Sequence, residues 1–534
     1  MGASQEPRRP EKPGGPEKPG GPEKPGGPEK PGGIDGSDEP GLSHAARPSA
    51  AGTSAGAGTF AAGPSAAGTF AGGTLTDTGR PTIRVGLLGC GNVGAAVARF
   101  LLTDGKRIAE RTGVQLELAR VAVRSATKER DVAGVEDLLT TDAHNVVDDP
   151  SIDVVVEVMG GISPTRDLVL QALRSGKAVV TANKELLANH GAELWDVAAA
   201  SGVDLLFEAS VAGGIPLIRA LRESLAGERI HRVMGIVNGT TNYILTRMAA
   251  SGATYQEALS EAQSLGYAER DPTADVEGFD AAAKAAILAN VAFGAKVVAG
   301  DVYREGISAL NLLDFEAARR LGFAIRLLAV VEAGADGSLG VRVHPAMVPQ
   351  DHPLAAVRDS FNAVFVEGDA VGQLMLFGRG AGGLPTASAV IGDLVDAAHN
   401  LTVKGVARKM ELHQVAITPI DDLRCAYYLS LFVADRPGVL SAIAGVLGRH
   451  NVSVRSMEQD APEPETTLPA GAGAGTGPGS RPRGSAGDER DTGQAHLVFV
   501  THPAYERDMQ ACLHELRRLE AVNRIGGLVR VVGS

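Results

Sequence analysis

The sequence predicts an α/β protein. A doubly wound parallel sheet comes first, an α+β region follows, and a small ferredoxin-like unit closes the chain. Three observations predict this. Between about residues 82 and 205, β-branched apolar runs alternate with helical periods, the pattern of strands covered on both faces by crossover helices. From 206 to 378 strands and helices mix without that alternation. From 425 to 534 the order is strand, helix, strand, strand, helix, strand, which is that of a ferredoxin-like domain. The length of 534 residues also calls for several domains, since single cores rarely grow past roughly 250–300 residues.

The segment 1–81 reads as a solvated, disordered tail. "PEKPGG" occurs four times in tandem from Pro10 to Gly33, and an Ala/Gly/Ser/Thr stretch follows. Such a composition buries too little apolar surface to offset the entropy of ordering it. A Pro-rich partner-binding tail is the other reading.

Order begins at "TIRVGLLGCGNVGAAVARFLL", a strand, a glycine turn and a helix. "LELARVAV", "IDVVVEVM" and "KAVV" are further strands, and "RDLVLQALRSG" is a helix. Gly89, Gly91 and Gly94 form G-x-G-x-x-G between the first strand and helix. In that context Gly89 permits the tight turn, Gly91 the approach of a pyrophosphate and Gly94 the packing of helix on strand. The helix start at Asn92, Val93 and Gly94 offers free N–H groups to phosphates. A Rossmann-type dinucleotide site is expected, against a plain tight turn. A ribose-binding acid would normally end the second strand. Here Arg124 follows it, with Lys128 and Arg130 nearby, so NADP(H) is favoured over NAD(H), unless these are simply solvated charges.

Asn183 and Lys184, in "VVTANK", fall at the carboxyl end of a strand, where doubly wound sheets bind ligands. Lys184 could equally be a surface lysine at a helix start. Lys284 is harder to place on the surface. Alanines 281–283 and residues 285–288 give it an apolar setting, with Asp280 one turn earlier. A buried lysine is costly unless paired. Lys284 is therefore expected in a water-poor site, held by Asp280 and able to exchange a proton with a substrate oxygen.

The stretch "AQSLGYAERDPTADVEGFDAAAK", residues 262–284, resembles the signature of the homoserine dehydrogenase family. "TANK", "EASVAGGIPLI", "GIVNGTTNYIL" and "GRGAGGLPTASAV" resemble its other blocks, so the likeness runs from about Ile83 to Asp396. It implies NAD(P)-dependent interconversion of L-aspartate 4-semialdehyde and L-homoserine, in threonine, isoleucine and methionine biosynthesis. It implies an NAD(P)-binding domain at 82–205, a catalytic and dimerisation domain at 206–378, and a helix at 379–405 returning to the nucleotide domain. Lys284 becomes the proton donor or acceptor, with Lys184 between cofactor and substrate. Glu269 and Asp280 bind homoserine, Asp275 supports the site, and Gly382 contributes to the cofactor site. A carboxylate suits the substrate's ammonium group, which Glu269 can meet. The resemblance also implies a sodium ion near Glu208, Val211, Gly213 and Ile215; by residues alone that stretch is a glycine-rich turn.

The C-terminal unit, "AYYLSLFVA", "GVLSAIAGVLGRHN", "VSVRSMEQ", "AHLVFVTH", "YERDMQACLHELRRLEAV" and "GGLVRVVG", resembles an ACT domain. Its first turn carries Asp435, Pro437 and Gly438, where that family binds amino acids at subunit interfaces. L-Threonine is the implied effector, and a homodimer or homotetramer the implied assembly. A dimerisation module that binds nothing is the alternative. The Gly/Pro/Ser-rich insert 461–494 departs from the compact ACT pattern and is expected to be disordered.

The net charge of -12 argues against a nucleic-acid binder. No apolar run is long enough for a membrane helix. Three dispersed cysteines, Cys90, Cys425 and Cys512, fit no disulfide framework or zinc site, and a cytoplasmic location is expected. Two other functions stay open. A different NADP oxidoreductase is one; the acyl-transferring aspartate-semialdehyde dehydrogenase would need a nucleophilic cysteine, and none sits suitably. A non-catalytic NADP- and amino-acid-binding regulator is the other, although both site lysines are present.

Overall fold

The structure, a computed structural model, describes residues 80–405, 409–460 and 494–533. The expected tail, up to residue 79, and the expected insert, from 461 to 493, lie outside the described residues.

The first sheet contains β1 (Thr82–Leu88), β2 (Gln115–Ala122), β3 (Leu139–Thr140), β4 (Val154–Glu157), β5 (Ala178–Thr181) and β6 (Leu205–Leu206). All are parallel, in the order β3-β2-β1-β4-β5-β6. The residues of β4 and β5 are all buried, because helices cover both faces. β3 and β6 are two residues each, too short for periodicity to reveal. Strand order reverses between β1 and β4, which makes their carboxyl ends the switch point where such sheets bind ligands. The helix Gly383–Val403 packs here too: Ala387, Val390, Leu394 and Ala397 share a core with Val85 and Val97.

The second sheet begins with β7 (Ile230–Ile236), β8 (Tyr303–Arg304), β9 (Phe323–Ala333), β10 (Leu339–Pro349), β11 (Phe361–Gly368) and β12 (Gly372–Arg379). The C-terminal unit adds β13 (Arg424–Ala434), β14 (Val454–Asp460), β15 (Gln494–Thr501), β16 (Ala504–Tyr505) and β17 (Val522–Val531). The path is β12-β11-β7-β9-β10-β17-β13-β15-β14, with β8 on β10 and β16 on β13. The ACT-like sheet therefore continues the central one. β10 and β17 join in parallel through Ala346–Arg530 and Met347–Val531, which covers an edge that each would otherwise expose.

Three details differ from the sequence reading. The last helix covers Glu506–Leu516 and stops short of Val522. There the chain turns through a Val522 N–H bond to the Leu519 carbonyl, and Val522 pairs with Val433; sheet pairing overrides helical propensity. The final strand accordingly starts at Val522, ahead of "GGLVRVV". Gln494, assigned to the insert, opens β15.

The helix Phe279–Phe293 buries Asp280, Ala281–Ala283 and Ala285–Asn290. It starts at Gly278 in the left-handed region, φ 80°. Burial on almost every side accounts for its near-absence of polar residues.

Candidate active site

The glycine turn after β1 is built as its residues demand. Gly89 has φ 100°, and its N–H donates to the Ala122 carbonyl at the end of β2. A Cβ on Gly94 would stand 2.1 Å from the Gly89 oxygen, whereas one on Gly91 would meet nothing within 4 Å. The turn is thus closed where helix meets strand and open where a pyrophosphate would lie. Gly91 caps the helix Asn92–Thr103 without a side chain, so its first N–H groups face outward. Gly382 (φ 118°) caps the helix Gly383–Val403. A Cβ on the adjacent Gly383 would meet the Asn92 oxygen at 2.9 Å, so this late turn lies against the first one. Arg124 and Lys128 are exposed just beyond β2. Arg130 donates to the carbonyls of Ser125 and Lys128 and so shapes the loop that carries them.

A cavity of about 280 Å³ runs from Val93 to Lys184 and Lys284, and is also lined by Gly380 and Ala381. At its charged end Asp280 holds both lysines. Lys184 Nζ is 2.7 Å from Oδ1 and Lys284 Nζ is 2.7 Å from Oδ2. Lys284 Nζ also donates to the Val237 carbonyl at 2.7 Å. Burial pushes the Asp280 carboxyl up, but Lys284 and Lys184 together hold it far below the usual carboxylate range. Burial works against the Lys184 ammonium, yet Asp280 lifts it above the ordinary lysine value. Asp275 joins the cluster through Asn238, whose Nδ2 donates to Asp275 Oδ1 at 2.7 Å and to Asp280 Oδ2 at 2.8 Å. Burial, reinforced by the Asp280 charge, raises the Asp275 carboxyl.

Not every expected residue gathers here. Glu269 is exposed and does not line the cavity. Of the carboxylates from Glu269 to Asp280, Asp271 bonds the Thr273 N–H, Asp275 and Asp280 bond Asn238, and Glu277 accepts from Ser308. Among the described residues, only the Glu269 carboxylate has no such partner. The Glu208 carboxylate accepts from the N–H groups of Ile218 and Arg219, each at 2.8 Å. Among the described residues, no group of three or more His, Cys, Asp or Glu could hold a metal. A cation at this turn would therefore rely on main-chain oxygens around Val211, Gly213 and Ile215, a donor set that suits a hard ion. Asp435, Pro437 and Gly438 are exposed at the start of the helix Val439–Arg449, far along the chain from the cavity lining.

Comparison with known proteins identifies the family. Residues 216–395 match the homoserine dehydrogenase family, 89–208 its NAD-binding domain and 427–471 the ACT domain. A homoserine dehydrogenase of Corynebacterium glutamicum is 44% identical, over 84% of this chain and 95% of its own. The chain belongs to the homoserine dehydrogenase family. The homoserine dehydrogenase of Mycobacterium tuberculosis is 45% identical, over 85% of this chain and 98% of its own. The crystal structure of a homoserine dehydrogenase from Thiobacillus denitrificans superposes with a TM-score of 0.75 at 40% identity, covering 85% of this chain and 98% of that one. A hyperthermophilic archaeal homoserine dehydrogenase mutant, solved in complex with NADPH, reaches 0.51 at 30% identity, covering 60% and 98%. The chain is thus an oxidoreductase with a Rossmann-like dinucleotide domain and a C-terminal ACT domain. Among the described residues no helix is long and apolar enough to cross a membrane.

Sequence reasoning overlooked two residues of this candidate site. Asn238 read as one residue of a family block, and its only local signal is a position before a helix, where asparagine is ordinary. Glu157, at the end of β4, is fully buried and accepts from Thr181 Oγ1 at 2.6 Å and from the Met159 and Gly160 N–H groups. It ties β4 to β5 under the cavity, and burial raises its carboxyl. A lone acid after three valines was the available signal.

Proposed function

We propose that the chain reversibly reduces L-aspartate 4-semialdehyde to L-homoserine, using NADP(H) in preference to NAD(H), in threonine, isoleucine and methionine biosynthesis. One observation carries the reading: Lys284 is pinned by Asp280 and the Val237 carbonyl at the end of a cavity that reaches the dinucleotide turn. An ammonium has three donors. Two are occupied, so the third is free for a substrate oxygen. Lys284 gives that oxygen a proton as the aldehyde becomes an alcohol, and takes it back in reverse. Lys184 sits across Asp280 and orients the substrate between the cofactor and Lys284. Glu269, the uncommitted carboxylate of the signature, meets the substrate ammonium, while Asp275 and Asp280 shape the site's charge.

The cofactor would lie on Gly89, Gly91, Asn92, Val93 and Gly94, with Lys184 and Gly382 beside it. Bound there, it supplies or accepts the hydride. Arg124 and Lys128 suit the 2′-phosphate because they are basic, exposed and placed after β2, where NAD-specific sites carry an acid. A mutant of an archaeal homoserine dehydrogenase has been solved in complex with NADPH. We also assign a structural sodium ion to the Glu208–Ile215 turn, L-threonine as effector at Asp435, Pro437 and Gly438, a homo-oligomeric state and a cytoplasmic setting. Gly438 (φ 93°) begins a helix whose N–H groups suit a carboxylate.

The test is NADPH oxidation with L-aspartate 4-semialdehyde, run alongside homoserine oxidation and a threonine titration. Lys284→Ala should lower turnover roughly 10²–10⁴-fold, the worth of a positioned proton donor, while dinucleotide binding persists. A wild type inert toward both substrates, or a fully active Lys284→Ala, would overturn the assignment.

A further inference from the structure

Resting on that reading of the site, we propose that Asn238 is a positioning residue. Its side-chain amide holds the Asp275 and Asp280 carboxylates together beneath the two lysines and so fixes the spacing of the site's charges.

The geometry exceeds what a helix cap requires. Asn238 is 5% exposed and precedes the helix Gly239–Ser251. Its Oδ1 accepts from the Thr241 N–H at 2.8 Å and the Thr241 hydroxyl at 3.0 Å. That is the capping function, which serine, threonine or aspartate would perform as well. Its Nδ2 does something else. It carries two hydrogens, and they go to two different carboxylates, one on each side of Gly278. Every hydrogen-bonding position of the amide is used, so its orientation is fixed. The preceding residue adds to the same device, since the Val237 carbonyl holds Lys284. One strand-to-helix turn therefore grips the proton-transferring lysine and both aspartates.

Among residues that cap a helix, only asparagine supplies both an acceptor and two donors at this position. Glutamine would displace the amide by a methylene. Serine would cap the helix but offer one donor. Aspartate would cap it and set a third carboxylate beside two others. The cost of losing the donors falls on Asp275. Burial and the Asp280 charge raise its carboxyl, while Asn238, Lys284 and the Thr240 hydroxyl oppose them. Asp280 is faced by Lys184 and Lys284, and Lys184 in turn by Glu185. Asp280 thus keeps two cations without Asn238, whereas Asp275 loses its main hydrogen-bonding partner.

Asn238→Ser separates the two roles. It should melt near the wild-type temperature, because the cap survives. Its kcat/KM for homoserine should fall roughly 10-fold or more, the worth of a hydrogen bond to a charged group. The acid limb of the kcat/KM profile should rise by about one pH unit, with NADPH affinity unchanged. Asn238→Asp, which also keeps the cap, should lose more. A serine variant with wild-type kcat/KM and pH profile would reduce Asn238 to a cap. A second measurement is independent of turnover: ¹³C-carboxyl titration of Asp275 in substrate-free protein, assigned by the signal lost in Asp275→Asn. An upward shift of about one unit in either Asn238 variant is expected, and an unmoved titration overturns the proposal. If wild type did not oxidise homoserine, the functional reading would fall, but this titration would still decide the role of Asn238.

Discussion

Asp280→Asn should damage both the stability and the turnover of this site, for reasons its geometry makes separable. The Asp280 side chain is 6% exposed and Lys284 11%, but Lys184 is 45% exposed. Removing one partner of a buried pair costs about 3–5 kcal/mol, because the other charge stays buried alone. The half-solvated Lys184 adds little, in the range of about 0–1 kcal/mol for exposed pairs. Asparagine keeps the shape and one acceptor, but its NH₂ must then face a lysine or the Asn238 amide, donor against donor. A loss of about 3 kcal/mol at neutral pH follows, with turnover down roughly 10²–10⁴-fold as Lys284 loses its anchor. The pH dependence supplies a second check. The lysines depress the Asp280 carboxyl in the folded state. Its contribution is therefore complete above the unfolded value, about 3.9, and is lost as pH falls toward the folded one. Chemical denaturation of wild type and variant should show the widest gap near neutrality and a narrowing gap in acid. An undiminished gap there, or a variant with wild-type turnover, would refute the reasoning.

Three further outcomes follow from the same physics. Burial raises the Asp393 carboxyl to about 8 despite Arg219 at 3.5 Å, so the folded state binds the extra proton and this group's contribution falls as pH rises from about 4 to 8. Asp393→Asn retains an acceptor for the Glu208 N–H and should flatten that decline in melts taken across the range; an unchanged slope would refute it. Arg124→Ala with Lys128→Ala should weaken NADPH binding more than NADH binding, measured by fluorescence titration, and an unaltered ratio would move the phosphate elsewhere. Arg530→Met should destabilise the protein by about 3–5 kcal/mol, since it leaves Glu506 buried and Glu305 unpaired. Denaturant midpoints matching the wild type would contradict it.

The parts of this protein that the sequence made legible are those where local pattern and tertiary demand coincide. The glycine turn could be read because Gly89 and Gly94 answer local steric needs, a positive φ and a close approach of helix to strand. The contact between Lys284 and Asp280 could be read because a lysine buried among alanines needs a counter-charge, and the aspartate one turn earlier lies within its reach. Asn238 could not, because its cap is local and its two carboxylate bonds reach 37 and 42 residues along the chain. Asp393 carries no local signal in the sequence, and only the fold buries it against the turn at Glu208. The union of β10 with β17 rests on two residue pairs between distant segments, and no periodicity announces such an edge.

That union gives the C-terminal unit a physical route to the candidate active site. Arg530, on β17, forms paired bonds to Glu305 at 2.8 and 2.9 Å and reaches Glu506 of the last helix at 2.9 Å. Tyr427 of β13 donates to the same Glu506, so three elements of the ACT-like unit converge on one guanidinium. Glu305 then hands on to its neighbours. The Arg304 guanidinium lies 3.8 Å over the Phe279 ring, the Ile307 N–H donates to the Val276 carbonyl and the Ser308 hydroxyl to Glu277. Residues 276–279 lead directly into Asp280. Contiguity alone is not coupling. An effector on the C-terminal turn changes catalysis only if it prefers one arrangement of β17 over another. What the packing decides is where that preference would be felt. A shift of β17 bears on Glu305 before any other catalytic-domain side chain on this path, and through it on the start of the helix that holds Asp280 and Lys284. Inhibition by this route would disturb the grip of Asp280 and the Val237 carbonyl on Lys284 and lower kcat, while leaving the dinucleotide turn, on the other sheet, unchanged.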